Sequence, residues 1–328
     1  MLSTNDKTIK LWRMKISTKR QYESSRKAVS KGELRIPASK IVSEDWEATV
    51  RRTFSNAHNY HINSLSQSPD GEHFLSSDDL RVNVWNAELN TVSFSIVDIK
   101  PPNIDDLNEV ITHAEFHPLI PDLFLTSSSK GMIHMCDIRQ NSLFEKCATK
   151  FEIFIDPAKK HFFSEIINSI SSATFSKDGM YIYSRDYLSV KVWDVRNQQK
   201  PVRSLQVTDY MEKKLCDLYE SESVFDKFEL RASPCSNYVL TGAYNNNAHV
   251  IDVEGNANVT LEASFNHKRA KQCGHVRYYG GKKLQALSST PPNLGRKVMQ
   301  CDWHPHENIV AIANHNCIFL LNEEKKKG

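Results

Sequence analysis

The histidine pair His58/His61, at i and i+3, has a spacing that could suggest a metal, whereas His304-Pro305-His306 is too short a pair to hold one by itself. Neither pair has a third ligand placed nearby, and no helix is indicated around His58, so its expected role is a hydrogen bond inside a structural unit. Adjacent carboxylates at Asp78-Asp79 and Asp105-Asp106 concentrate negative charge, but no pair can be set at catalytic distance. The chain carries no G-x-S-x-G, phosphate-cradling loop, dinucleotide fingerprint or H-E-x-x-H. Its seven cysteines include no C-x-x-C, and with no leader-like segment they favour reduced thiols in an intracellular setting. The expectation is a chain with no catalytic group, no metal and no cofactor.

The elements that must hold these side chains are legible in Ile170–Arg196. Ala173–Phe175, Met180–Ser184 and Ser189–Trp193 read as three short strands, the first two joined at Lys177-Asp178-Gly179, where Gly supplies a positive φ. Val190 and Val192 alternate with Lys191 before Trp193-Asp194. The closing pattern returns at Thr8–Trp12, Arg81–Trp85, Met132–Asp137 (with Cys136 for Trp), Ala248–Asp252 and Cys317–Asn322. These endings stand roughly 50 to 75 residues apart, longer than the ~40–45 of a typical blade, so the surplus belongs in loops. The fold class is therefore all-β, a WD-repeat β-propeller with about five full blades and a partial one. Within it, His58 is expected to hydrogen-bond inside its blade, and Asp78 and Asp79 to lie in a turn on one rim.

At 328 residues the chain is long enough for one propeller domain, 1–328. A net charge of +3 from 42 basic and 39 acidic residues gives no electrostatic case for nucleic acid or a membrane surface. No apolar run approaches the ~20 residues of a membrane helix. Met1 falls inside a blade pattern. Because an open ring exposes sheet edges, further residues are expected to precede it in the native protein.

Several segments interrupt the strand rhythm. Lys15–Ser43 is too long for an ordinary connection and reads as a hairpin protruding from the disc. Pro101–Ile111 predicts a short helix capped by Asn103, with Ile104, Leu107 and Ile111 on one face. Cys147–Phe163 reads as a linker. Met211, Leu215 and Leu218 have helical spacing, and His267–Arg296 is a basic, turn-rich loop. No convergent polar residues can be located in the central channel; a buried carboxylate or metal centre at the hub would argue against this reading.

Asn56–Ser64, Leu75–Trp85, Phe94–Pro101, Phe162–Ile170, Arg185–Asp194, Phe225–Phe228 and Thr260–Ser264 closely resemble the 55-kilodalton B-type regulatory subunits of protein phosphatase 2A. The resemblance covers nearly the whole chain and thins across 267–296. It implies a seven-bladed propeller that catalyses nothing, docks on a helical-repeat scaffold subunit and presents phosphoproteins to a separate catalytic subunit. It also implies that Tyr60, His61, Asp79, Leu107 and Val110 line a substrate groove, Asp79 pairing with a Lys or Arg of the substrate and Leu107 and Val110 forming an apolar shelf. The protruding hairpin, with Arg20, Tyr22, Arg26, Lys27 and Leu34, would contact the scaffold. Relative to the family, the first blade, most of the second, an acidic loop and the closing strand are missing before Met1, and the hairpin is shorter.

The expected function is substrate targeting for that phosphatase in the cytosol, with the nucleus as a second compartment. Expected partners are the scaffold and catalytic subunits and phosphoproteins with basic segments, with no nucleic acid and no membrane. A WD-repeat adaptor without any phosphatase partner is the alternative that residue patterns alone leave open. A truncated form that binds substrate but docks poorly is a variant of the first reading.

Overall fold

Alternating apolar and polar residues between Gly-, Asp- and Asn-containing turns build antiparallel sheets one after another. A computed structural model describes residues 2–22, 39–139, 149–153, 162–263 and 293–322. Its first sheet has three strands, β1 (Leu2–Asn5), β2 (Thr8–Tyr22) and β3 (Ser39–Phe54). Four sheets of four strands follow. They are β4 (Ser64–Gln67) to β7 (Leu89–Asp98), with β5 (His73–Ser77) and β6 (Arg81–Asn86), then β8 (Ile111–Phe116), β9 (Leu123–Ser128), β10 (Met132–Asp137) and β11 (Thr149–Glu152). Next come β12 (Ser172–Phe175), β13 (Tyr181–Arg185), β14 (Ser189–Asp194) and β15 (Arg203–Gln206). The fifth sheet is β16 (Leu230–Ala232), β17 (Tyr238–Gly242), β18 (Asn247–Asp252) and β19 (Asn258–Glu262). A three-stranded sheet of β20 (Gln300–Trp303), β21 (Ile309–Asn314) and β22 (Cys317–Asn322) completes the set.

Each sheet is a meander, and the innermost strands β4, β8, β12, β16 and β20 touch in that order. This is a six-bladed β-propeller arrangement. Its core lies between blades. Leu75 and Val82 of one blade meet Ile111, Phe116 and Phe124 of the next, and Phe151 meets Ile182 and Trp193. Fully burying each such side chain contributes about 1.5–3 kcal/mol, so neighbouring blades hold each other in place.

One bond recurs at the same offset. Trp12, Trp85 and Trp193 donate Nε1–H to Ser3, Ser76 and Ser184 Oγ at 2.8, 2.8 and 2.9 Å. Where Cys136 replaces Trp, Ser127 Oγ pairs instead with Thr112 Oγ1 at 2.9 Å. Gly179 has φ +71°, as the turn requires, and a Cβ there would stand 2.2 Å from His117 Nε2 of the preceding blade.

Three expectations are corrected. The helix expected over Pro101–Ile111 is a single 3-10 turn, Ile104–Asp106; Asn103 does cap it, but Ile111 lies buried in β8 and shares no helical face with Ile104. The backbone must already be extended there, because Ile111 N–H donates to Asp79 O at 2.8 Å to start the innermost strand. Cys147–Phe163 is not only linker, since Thr149–Glu152 supplies a fourth strand, and Phe163 leads into helix α1 (Ser164–Asn168). Met211 does lie buried with Leu215 and Leu218, the last two on helix α2 (Leu215–Glu220), but its own segment is a 3-10 helix.

Candidate protein-docking site

The first candidate residues belong to the turn between β5 and β6. His58 Nδ1 is 2.8 Å from Asp78 Oδ2, and its Nε2 is 2.6 Å from Ser76 Oγ, which also accepts from Trp85. This is the intra-blade hydrogen bond expected of His58. It corrects the placement of Asp78 on a rim: that side chain is sealed, and its Oδ1 also accepts from Leu80 and Arg81 N–H at 2.8 and 2.7 Å. Burial pushes the Asp78 carboxyl up, but bonds from His58 and the two amides outweigh it and hold it below the usual range.

Asp79, the next residue, turns to a different partner and is half-buried; its Oδ1 accepts from Asn63 Nδ2 at 2.8 Å. Asn63 Nδ2 reaches Ile111 O as well, at 3.0 Å, which ties Asp79 to the strand that follows Val110. Leu107 and Val110 are half-buried on that approach, and Val110 exchanges bonds with Ser129. Tyr60 is exposed, while His61 lies outside the buried network with Nδ1 2.6 Å from Asp6 Oδ1. The two histidines thus serve separate partners.

Val110 also lines an open cavity of about 1000 Å³. The β9–β10 turn (Ser129–Gly131), Glu152, α1 residues Glu165 and Ile166, Tyr187 and the segment Val224–Lys227 form its other walls. Glu152 and Glu165 against Lys130 and Lys227 give this wall mixed charge, and the remaining charged group, Asp226, is paired with Lys297. Beside it stand four aromatic side chains, partly exposed. Phe162 and Phe163 lie 5.6 and 5.9 Å from Tyr219 between ring centroids, and Tyr219 lies 6.1 Å from Phe225. Phe162 is 69% and Phe225 56% exposed, so this is surface rather than core. The sequence reading named none of the four as site residues. Their signal was available: all sit where the strand rhythm breaks, Phe162 and Phe163 at the end of one interruption and Tyr219 and Phe225 in another, the one that holds the helically spaced Leu215 and Leu218.

The expectation of a channel without convergent polar groups is overturned. Glu115 of β8 accepts from Thr174 Oγ1 of β12 at 3.2 Å, Arg231 of β16 approaches Glu229 at 3.1 Å and Asp302 of β20 at 3.8 Å, and His113 lies 3.8 Å from Glu229. Buried carboxylates therefore do stand at the hub, because alternate residues of each innermost strand must point inward. Burial pushes the Glu115 carboxyl up to about 7 against the pull of Arg231, and drives His113 down to about 3. A single guanidinium set among three carboxylates, with Glu115 pushed toward its neutral form, makes the cluster a polar joint between blades.

Of the expected hairpin residues, Arg20 is exposed on β2, Tyr22 ends that strand opposite Ser39, and Arg26, Lys27 and Leu34 lie outside the described residues, as does 264–292. The β2–β3 ribbon runs from Ile9↔Phe54 to Tyr22↔Ser39. Register places Trp12, Met14 and Ile16 opposite Val50, Ala48 and Trp46 on one face. Met14, Ile16, Trp46 and Val50 are exposed, Trp46 by 70%, leaving an apolar stripe uncovered. Arg13, Lys15 and Lys19 with Glu47 and Asp45 occupy the other face. His304 and His306 belong to a turn, where His304 Nδ1 accepts from His306 and Glu307 N–H. Among the described residues no group of three or more His, Cys, Asp or Glu is placed to hold a metal.

Residues 49–86 match the WD domain, G-beta repeat family, a span that runs from β3 to the end of β6. The chain is 43% identical over 334 residues to the beta isoform of the B-type 55 kDa regulatory subunit of serine/threonine-protein phosphatase 2A from Carassius auratus, covering 98% of this chain and 75% of that protein. It is 43% identical over 335 residues to the protein phosphatase PP2A 55 kDa regulatory subunit of Drosophila melanogaster, covering 99% of this chain and 67% of that protein. Both relatives are named for a regulatory and not a catalytic part, and the chain is accordingly no enzyme in itself. Likeness of this strength over nearly the whole length, on a propeller of WD repeats, shows that the chain belongs to the family of B-type 55 kDa regulatory subunits of protein phosphatase 2A.

Proposed function

We propose that the chain selects substrates for protein phosphatase 2A, docking on the scaffold subunit through the β2–β3 ribbon and offering phosphoproteins a site on the propeller face. One observation carries the reading. Val110, the one expected groove residue on its wall, opens onto a cavity lined by Glu152, Glu165 and Phe225, a surface suited to an extended segment with basic and apolar side chains, while Asp79 is tied through Asn63 to the adjoining strand. Holding such a segment close to a catalytic subunit raises the effective concentration of its phosphate ester, which speeds dephosphorylation without any catalytic group in this chain. The exposed stripe of Met14, Ile16, Trp46 and Val50 provides the apolar centre expected of a second, more permanent contact.

Partners are then the scaffold and catalytic subunits and phosphoproteins with basic segments, in the cytosol and nucleus. Asp79→Lys tests the assignment. Pull-down from purified components should lose a basic phosphoprotein while retaining the scaffold–catalytic pair; equal loss of both would reject it.

A further inference from the structure

Asp226 sits between Phe225 and Lys227 on the cavity wall, and both its oxygens are committed. Oδ1 receives Lys297 Nζ at 2.5 Å and Oδ2 accepts from Tyr244 Oη at 2.9 Å. Tyr244 Oη stands 3.0 Å from Tyr187 Oη, which approaches the same carbonyl, Ser223 O, within the 3-10 turn that carries Phe225. Lys297 comes from 71 residues further along the chain, so nothing local places it there. Its backbone is clamped: Lys297 forms a β-bridge with Tyr244, and Val298 N–H donates to Ala243 O at 3.0 Å. Val298 O passes so near Gly242 that a Cβ there would lie 1.9 Å away.

Asp226 is only 11% exposed, so removing its cation strands a nearly buried carboxylate, a costly arrangement that the loop must relieve. The neighbouring cation is Lys227, which is exposed and has no ion-pair partner among the described residues. Rotation of Asp226 toward it would carry Phe225 and Lys227 away from their present places. Lys297 itself does not line the cavity.

We infer that Lys297 is a positioning residue for the docking cavity: by holding Asp226 it sets where Phe225 and Lys227 stand, so that the affinity of a docked segment depends on a residue it does not touch. This rests on the reading of the cavity as the docking site.

The test is fluorescence anisotropy of the full chain with a dye-labelled phosphothreonine peptide rich in Lys and Arg. Lys297→Met should weaken binding roughly fivefold, the size of coupling expected within one hydrogen-bonded network, and Lys297→Arg should stay within about twofold of the parent. In an Asp226→Asn background, which needs no counter-charge, Lys297→Met should add nothing. It should likewise add nothing to a Phe225→Ala/Lys227→Met chain, which has already lost what Lys297 supports. Additive losses, or Lys297→Arg as weak as Lys297→Met, overturn the inference. Normal binding by Lys297→Met overturns it alone if Phe225→Ala/Lys227→Met binds poorly. If that pair binds normally as well, the docking reading falls and takes the inference with it.

Discussion

His58 and Asp78 face each other across 2.8 Å with both side chains sealed from solvent, while Asp79, one residue on, answers to Asn63 outside that network. Adjacent carboxylates therefore have opposite duties. The first is structural and the second is the one proposed to meet a partner. Asp78→Ala should cost about 3 kcal/mol, the range for breaking a buried charged hydrogen-bond network, as read by urea unfolding. The Asp78 carboxyl is depressed in the folded chain, so its stabilisation is present above the unfolded value near 4 and lost as pH falls through the folded one. Asp78→Asn should therefore flatten the acid limb of the stability curve.

The hub carries the opposite sign. Glu115 is raised to about 7, so the folded state favours its neutral form, and that contribution is complete below the unfolded value and lost as pH rises through about 7. Glu115→Gln should leave the midpoint of thermal unfolding nearly unchanged at pH 4 and raise it relative to the parent at pH 8. Parallel midpoints across that range would show that Arg231 already keeps Glu115 ionised.

The ribbon's apolar stripe should matter for assembly and not for folding. Trp46→Ala is predicted to weaken scaffold binding by about 2 kcal/mol or more, as a central aromatic anchor does. Because Trp46 is exposed, the same change should alter unfolding free energy by no more than about 0.5 kcal/mol. Surface plasmon resonance and denaturant melts on one preparation separate the two effects.

Acidic groups at Asp79, Glu152 and Glu165 imply that recruitment of basic phosphoproteins weakens as salt rises, since exposed charge pairs are screened within about 8–10 Å at 0.1–0.15 M. Docking through the apolar ribbon should be far less salt-sensitive. Titrating sodium chloride in paired pull-downs reads both slopes.

Gly179→Ala combines a φ of +71° with a Cβ placed inside the His117 ring's space. A loss of about 2 kcal/mol or more in unfolding free energy is expected. Adding His117→Ala should return part of it, because the clash is removed and the backbone strain is not.

What the chain's residues settle alone is whatever depends on near neighbours. The period-two runs closing on Val-x-Val-Trp-Asp, the glycine turn at Gly179 and the helical spacing of Leu215 and Leu218 are local, so strands, turns and the propeller class were readable from them. The likeness that names the family lies in the same strings. The 3-10 turn after Asn103 shows the limit, since its helical spacing was overruled by the need to enter β8 already extended. Tertiary structure decided which of two neighbouring aspartates is buried, and brought Glu115, Arg231 and Asp302 from three blades to one hub. It also assembled the cavity from the β9–β10 turn, α1 and Val224–Lys227, and set Lys297 upon Asp226. These are contacts between segments far apart in the chain, and residue spacing carries no measure of them until the blades stand side by side.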